Sequence, residues 1–436
     1  MENSKVSVLL VSVDALKPEF VFEQERLGIS LPNIRKYFVE NGTFAGKGVK
    51  SVFPTFTYPC HQSIITGTNP ATHGIFNNGI FDPMEEHMGA WHWFASRKVE
   101  NLWEAAKKNG YVSASVAFPT SIAAKGDFIA PEFWWDGSEL DSQFIDAMSV
   151  PQGMILEMEQ EIGRYAGGLD LTEAGDRQRF LAAMWVLRHK IAPVADEKPF
   201  FMSAYFASFD EMAHQFGVYS AEAAHALKAI DGMLGEMIEL IHEITKDNVV
   251  MCVVSDHGTL DNKFNIRPNV KLREAGLITA DQDGTVTDWK AWSQRAGGMS
   301  EIRLKDEHDA DARQALDRVM KELAADPALG ILEVVDREHA RARGGFPLAD
   351  YVLVSQKGYE IRDDVTGDYC TEKLHQKAQH GYNENFEEMR ASFLIEGRGI
   401  RRGYDIGAMN LIDIAPTLAA VMGFEMPQAE GINRLR

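Results

Sequence analysis

Three short apolar runs of high β-propensity each lead within two residues into an aspartate. VSVLLVSV (residues 6–13) precedes Asp14, FFMSAYFASF (residues 200–209) precedes Asp210, and VVMCVV (Val249–Val254) precedes Asp256. Longer stretches of helical period separate such runs, the pattern of an α/β domain built on a largely parallel sheet. Residues 221–244 predict one of these helices, with Leu227, Ile230, Leu234, Met237 and Ile241 falling on one face. That helix returns the chain from the Asp210 strand to the Asp256 strand, a βαβ crossover. Crossovers make neighbouring strands parallel, so their carboxyl ends lie on one edge of the sheet, where α/β proteins bind ligands. Three acids are thereby expected on one edge.

The chain has 436 residues and a formal net charge of −20. A field of that sign repels polymeric nucleic acid and anionic membrane surfaces. A small anionic substrate requires something strongly positive in the site itself. The three cysteines, Cys60, Cys252 and Cys370, form no CxxC pair and no even disulfide set, which points to a reducing compartment. The first apolar run is too short for a secretory leader, and no run approaches the roughly 18 apolar residues of a membrane span. The expectation is a soluble cytoplasmic chain.

Residues 258–379 depart from the alternating pattern, with a polar turn-rich stretch, a helix expected at residues 309–325, and strand-like ILEVVD (Ile331–Asp336) and DYVLVS (residues 350–355). We read them as an inserted cap subdomain, with residues 1–257 and 380–436 forming the catalytic core.

Asp210 and His214 are spaced i, i+4, so a helix opening after the strand would project both from one face. Asp256, His257 and Gly258 follow a buried strand, and His380-Gly381 repeats the His-Gly pair; packing alone does not ask for ionisable groups there, although each could cap a turn or helix. Asp14, Asp210, His214, Asp256, His257 and His380 make an oxygen and nitrogen ligand set without thiolate. It suits Zn²⁺, with Mn²⁺, Mg²⁺ or Fe as alternatives, and six ligands are too many for one tetrahedral zinc. Two divalent ions are implied, which supplies the local positive charge demanded above. His87, His92, His189, His225 and His242 read as ordinary surface, helix or packing residues, and His375 as a weaker competitor of His380.

In SVFPTFTYPCHQSIITG (residues 51–67), Cys60 and His61 first suggest a thiolate and its base. The distant acids and histidines favour Thr57 instead. With Thr57-Tyr58-Pro59-Cys60-His61, Thr66-Gly67, His73-Gly74 and Asn78 in order, the sequence resembles the nucleotide pyrophosphatase/phosphodiesterase family of the alkaline phosphatase superfamily. The resemblance implies an alkaline-phosphatase-like α/β core. It implies one metal held by Asp210, His214 and His380, and a second held by Asp14, Thr57, Asp256 and His257. Thr57 would be the nucleophile, forming a phosphoryl-threonine intermediate, and Asn78 would donate to a non-bridging phosphoryl oxygen. Tyr58 and Tyr205 match positions where the family stacks aromatics on a nucleobase or aryl group. The implied substrate is a small phosphodiester or nucleotide.

Cys60 departs from the family, which has Asn there, so a loop-bracing amide contact is lost or rerouted. Pro54-Thr55-Phe56-Thr57 also resembles the nucleophile segment of phosphonoacetate hydrolases, leaving a phosphonate hydrolase or a phosphomonoesterase as alternatives. Sulfatase chemistry is disfavoured because CHQS lacks the CxPxR pattern, and a metal-stabilised binding protein is disfavoured by the full set of ligands. The pocket walls are expected from the insertion and from the aromatic segments GAWHWF (residues 89–94) and PEFWW (residues 131–135).

Overall fold

The computed structural model describes residues 5–87, 89–135, 141–168, 170–281 and 283–435. Six strands of its central eight-stranded sheet are β1 (Ser7–Val13), β2 (Val112–Val116), β3 (Phe128–Ala130), β4 (Phe200–Phe206), β5 (Val249–Val254) and β6 (Phe393–Gly397). Their order across the sheet is β6, β5, β1, β4, β2, β3, with the short pieces Thr43–Phe44 and Tyr404–Asp405 beyond β6. β5, β1, β4, β2 and β3 are mutually parallel, and β6 closes that row antiparallel to β5. Every residue of β1, β4 and β5 is buried, which is why these strands read as continuous apolar runs rather than alternating ones.

Because β5, β1 and β4 are immediate neighbours, with Ser12 opposite both Val254 and Tyr205, the three acids that follow them emerge at one edge. Helix α1 (Thr57–Thr66) lies over one face of the sheet, with its apolar residues Ile64 and Ile65 in the same core as Val8, Leu10 and Val250. On the other face lie α2 (Glu173–Val186), α3 (Ser208–Phe216) and the 25-residue crossover α4 (Ala221–Thr245). Ser220 caps α4 through the Ala223 N–H, and Leu227, Ile230, Leu234, Met237 and Ile241 are all fully buried, as the helical period requires.

One boundary differs from the sequence reading. The run at residues 200–209 does not stay extended: the chain leaves the sheet after Phe206 and α3 begins at Ser208. The cause is Asp176 of α2, whose buried carboxylate accepts the N–H groups of Ala207 and Ser208, both at 2.9 Å, and is itself paired with Arg179 at 2.9 Å. A carboxylate at a helix N-terminus satisfies its orphan donors and favours its dipole.

Between β5 and β6 the chain builds a separate four-stranded antiparallel sheet from Ala291–Ala296, Met299–Leu304, Tyr351–Ser355 and Ile331–Asp336. The helix Ala310–Ala325, capped by Asp309, covers it with its own apolar core. No helix among the described residues is long and apolar enough to cross a membrane.

Candidate active site

The turn after β1 places Asp14 at the sheet edge and is followed by Ala15 at φ +56°, where the left-handed backbone lets the Ala15 N–H reach Asp256 Oδ1 at 3.2 Å. Asp256 leaves β5 beside it, and α3 brings Asp210 and His214 to the same edge, 2.9 Å apart across one helical turn. His380 returns from the far end of the insertion, its ring stacked on His257 at 3.8 Å between centroids. Two sets of donor atoms result, Asp210 with His257 and His380, and Asp14 with Asp256 and His257.

The hydrogen bonding of this cluster is incomplete in a specific way. Asp14 Oδ1, Asp210 Oδ1 and Asp256 Oδ2 are buried without a hydrogen-bond partner, although an unsatisfied buried carboxylate oxygen is costly. Among the described residues the ion-pair partners of all three acids are imidazoles, with no lysine or arginine. Each of the three imidazoles faces a backbone carbonyl with Nδ1: His214 that of Ala378 at 2.8 Å, His257 that of Gly258 at 3.2 Å and His380 that of Thr55 at 3.3 Å. A carbonyl only accepts, so each ring carries a hydrogen on Nδ1 and turns Nε2 toward the cluster; at His214 that nitrogen also holds a proton against Asp210, which a bound ion would displace. This is the arrangement that orients metal-ligating histidines.

Charge in the cluster is frustrated accordingly. Burial, with Asp256 and Asp210 adding repulsion, pushes the Asp14 carboxyl well up, while burial and the neighbouring His257 push His380 well down. Burial opposes ionisation at Asp210 and His214 too, yet their contact holds the acid down at about 2 and the imidazole up at about 9. Orphaned oxygens, oriented lone pairs and mutual repulsion among carboxylates are what divalent cations relieve, so the donor set fits two ions of the Zn²⁺ or Mn²⁺ type.

Thr57 opens α1 with its Oγ1 3.3 Å from His257 Nε2, so the positive end of a ten-residue helix faces the cluster. Asn78 Oδ1 accepts the Tyr58 N–H at 2.8 Å, which fixes the amide so that its NH₂ is the free end. Both residues, with Asp14, Asp210, His214 and His380, line a cleft of about 1140 Å³.

A family model described as type I phosphodiesterase/nucleotide pyrophosphatase matches residues 8–383. The chain belongs to this family. Among family relatives, human ectonucleotide pyrophosphatase/phosphodiesterase family member 1 is 28% identical over 264 residues, 57% of this chain and 23% of that protein. The chain thus spans about a quarter of the length of such relatives. The bis(5'-adenosyl)-triphosphatase of Pongo abelii is 20% identical over 431 residues, covering 96% of this chain and 78% of its own. The solved structure of murine ectonucleotide pyrophosphatase/phosphodiesterase 5, an inactive form in complex with AMP, superposes with a TM-score of 0.64 at 19% identity. It covers 98% of this chain and 97% of that one.

Cys60, where the resemblance leads one to expect an asparagine, is buried and does not line the cleft. Its thiol lies 3.1 Å from Ser51 Oγ and 3.7 Å from the Pro54 carbonyl, and burial raises it well above the ordinary thiol range, so it braces the loop and is inert. His61 bridges Thr57 O and Ser12 Oγ, both at 2.8 Å, and Thr55 donates to the Tyr382 carbonyl. All three are structural.

Tyr205 and Tyr58 reach the cleft but not as a pair of open stacking faces. Tyr205 donates its hydroxyl to Asp14 Oδ2 at 2.6 Å and packs edge-on against His61. Tyr58 donates to Glu132 Oε2 at 2.8 Å, receives the Trp134 indole N–H at 3.1 Å and meets Trp91 edge-on. The aromatic wall of the cleft is completed by Trp91, Trp134 and Trp135, from the two aromatic segments noted in the sequence.

Sequence reasoning passed over three contributors. Glu132, an acid in the otherwise apolar FIAPEFWW, carried a visible signal; Asn77 and Gln294 carried none. Asn77 donates to the Arg295 carbonyl at 3.0 Å and accepts the Asn78 N–H at 2.8 Å. Gln294 donates to Ile80 O at 2.8 Å and accepts the Asp82 N–H at 3.0 Å. The first strand of the insertion's hairpin therefore holds the Asn78 loop.

Proposed function

We propose that this protein hydrolyses phosphodiester or nucleotide pyrophosphate bonds through a phosphoryl-threonine intermediate on Thr57. The observation that carries this reading is the convergence of three carboxylates at one sheet edge, each with an orphaned oxygen, on a threonine at a helix N-terminus. Membership in the family supports it, as do the activity named for the bis(5'-adenosyl)-triphosphatase and the AMP held by the murine structure.

Asp210, His214 and His380 would hold one divalent ion, and Asp14, Asp256, His257 and Thr57 the other. When bound, the two ions supply Lewis-acid charge that lets a weakly acidic hydroxyl attack at neutral pH and offsets charge on the transferring group. Thr57 Oγ1 forms the new bond to phosphorus as the bond to the leaving oxygen breaks in line with it. The NH₂ of Asn78 donates to a non-bridging oxygen where charge develops, and the N-terminus of α1 adds its dipole. Water then cleaves the phosphoryl-threonine, returning the hydroxyl to Thr57. A neutral amide at this place suits a diester, which carries one negative charge fewer than a monoester. Tyr205 acts by orienting Asp14, and the half-buried tryptophans of the cleft wall receive the far group of the substrate. Zn²⁺ is the proposed native ion, with Mn²⁺ the alternative.

Initial rates on bis-p-nitrophenyl phosphate, p-nitrophenyl phosphate and phosphonoacetate, each with Zn²⁺ and with Mn²⁺, test the proposal. The diester is expected to turn over fastest. Phosphonoacetate turned over faster than the diester would replace the reading with phosphonate hydrolysis.

A further inference from the structure

Beyond Asp14 and Asp210, the cleft is lined by seven acidic residues against two arginines, Arg295 and Arg362. Neither arginine faces the cleft alone. The backbone N–H of Arg295 donates to Asp363 Oδ1 at 2.6 Å, and its guanidinium Nε lies 3.7 Å from Asp363 Oδ2. Arg362 donates to Glu360 at 3.2 Å and lies 3.7 Å from Asp364. Glu85, Glu211 and Asp283 add further negative charge around the same space, and Trp91, Trp134, Trp135 and Trp292 stand among the uncharged residues of the wall.

Resting on the phosphodiesterase reading, we infer that this cleft selects phosphodiesters of single negative charge with an aromatic far group and turns away substrates that carry further phosphates, Asp363 and Asp364 being specificity-determining residues. A second phosphate reaching past the metal cluster meets guanidiniums that already have Asp363, Asp364 and Glu360 beside them, Asp364 being shared with Arg267 at 3.5 Å. It would have to approach those half-exposed carboxylates, whose like charge repels it. A nucleobase or aryl group instead finds Trp91, Trp134 and Trp135, whose faces accept it without a charge requirement. The positive charge needed for one phosphoryl group is confined to the ions at the cluster, and the rest of the cleft does not extend it.

The test compares kcat/KM for the p-nitrophenyl ester of thymidine 5'-monophosphate with that for ATP, in the wild-type holoenzyme and in Asp363→Asn/Asp364→Asn. The wild type is expected to favour the diester, and the double substitution to raise the ATP-to-diester ratio by about tenfold, the effect of removing roughly 1.4 kcal/mol of repulsion. Asn keeps the acceptor for the Arg295 N–H, so the loop retains its bond. Should the variant not fold, the wild type alone decides through salt. Screening of repulsion beyond a Debye length of about 10 Å at 0.1 M lowers KM for ATP as salt rises, whereas screening of attraction raises it. Wild-type enzyme that prefers ATP, a ratio unmoved by the substitutions, or a KM for ATP that rises with salt would overturn the inference. Failure of the wild type to hydrolyse either substrate would instead remove the phosphodiesterase reading beneath it.

Discussion

Tyr205 on β4 and Asp14 in the turn after the neighbouring β1 are joined by a 2.6 Å hydrogen bond from the phenol to Oδ2, and the other Asp14 oxygen is left without a partner. The bond fixes which oxygen faces the cluster and favours the ionised carboxylate, against burial and two nearby carboxylates that disfavour it.

Tyr205→Phe is therefore expected to weaken binding of the second metal by about 10- to 100-fold, the usual effect of losing an outer partner of a ligand. The ring remains, so packing against His61 is kept. Competition with a chelating dye measures the affinity; an unchanged value would show that Asp14 needs no such support.

Thr57→Ala should lower diester turnover by several orders of magnitude while both ions stay bound, since Asp14, Asp256 and His257 still hold the site. Thr57→Ser should keep part of the activity, because the hydroxyl survives at the head of α1. Turnover together with metal content per chain distinguishes a lost nucleophile from a lost metal. Full activity in the alanine variant would exclude Thr57 as the attacking group.

What could be read from the sequence followed from local rules. Buried parallel strands must be apolar throughout, crossover helices must show a helical period, and strand-end acids have no packing reason to be there, so β1, β4, β5 and α4 and the meeting of Asp14, Asp210 and Asp256 were legible. The end of β4 was overshot because Phe209 continues an apolar run, and the capping carboxylate that bends the chain, Asp176, lies 31 residues away from Ala207. Tyr205 was assigned by position, but a hydroxyl's partner is a tertiary fact. Gln294 and Asn77 were invisible for the same reason, their contacts spanning more than 200 residues.

Glu132 is buried and its carboxyl is raised from 4.5 to about 7 by desolvation, opposed by the Tyr58 hydrogen bond and by Arg179. A folded pKa above the unfolded one means that the native state binds the extra proton, so this group's contribution is full below about pH 4.5 and is lost as pH rises through 7. Glu132→Gln, which keeps an acceptor for Tyr58 and never ionises, should flatten that part of the profile. Relative to wild type, its stability should improve between pH 5 and pH 8 by an amount of order 1–3 kcal/mol, measured by urea unfolding at both values. A parallel pair of profiles would refute the assignment.

Gly297 sits at the tip of the insertion's hairpin at φ +69°, and a β-carbon there would lie 2.1 Å from the His380 carbonyl oxygen. The neighbouring Gly298 N–H donates to that same carbonyl at 3.0 Å, and Gly381 donates to Thr55 at 2.8 Å, so the hairpin, the His380 loop and the segment before Thr57 are bonded in series. Gly297→Ala must both strain its own backbone and push the His380 peptide away, and no flexible side chain is present to yield. The expected result is a loss of metal at the Asp210, His214 and His380 site, with a fall in thermal midpoint. Gly284→Ala, at φ +87° in another turn of the insertion, serves as the control: its β-carbon meets only the Thr366 side chain at 3.1 Å, so it bears backbone strain without contact with a ligand. If both variants lost stability but kept equal metal affinity, the hairpin would be a structural support and not part of the metal site's frame.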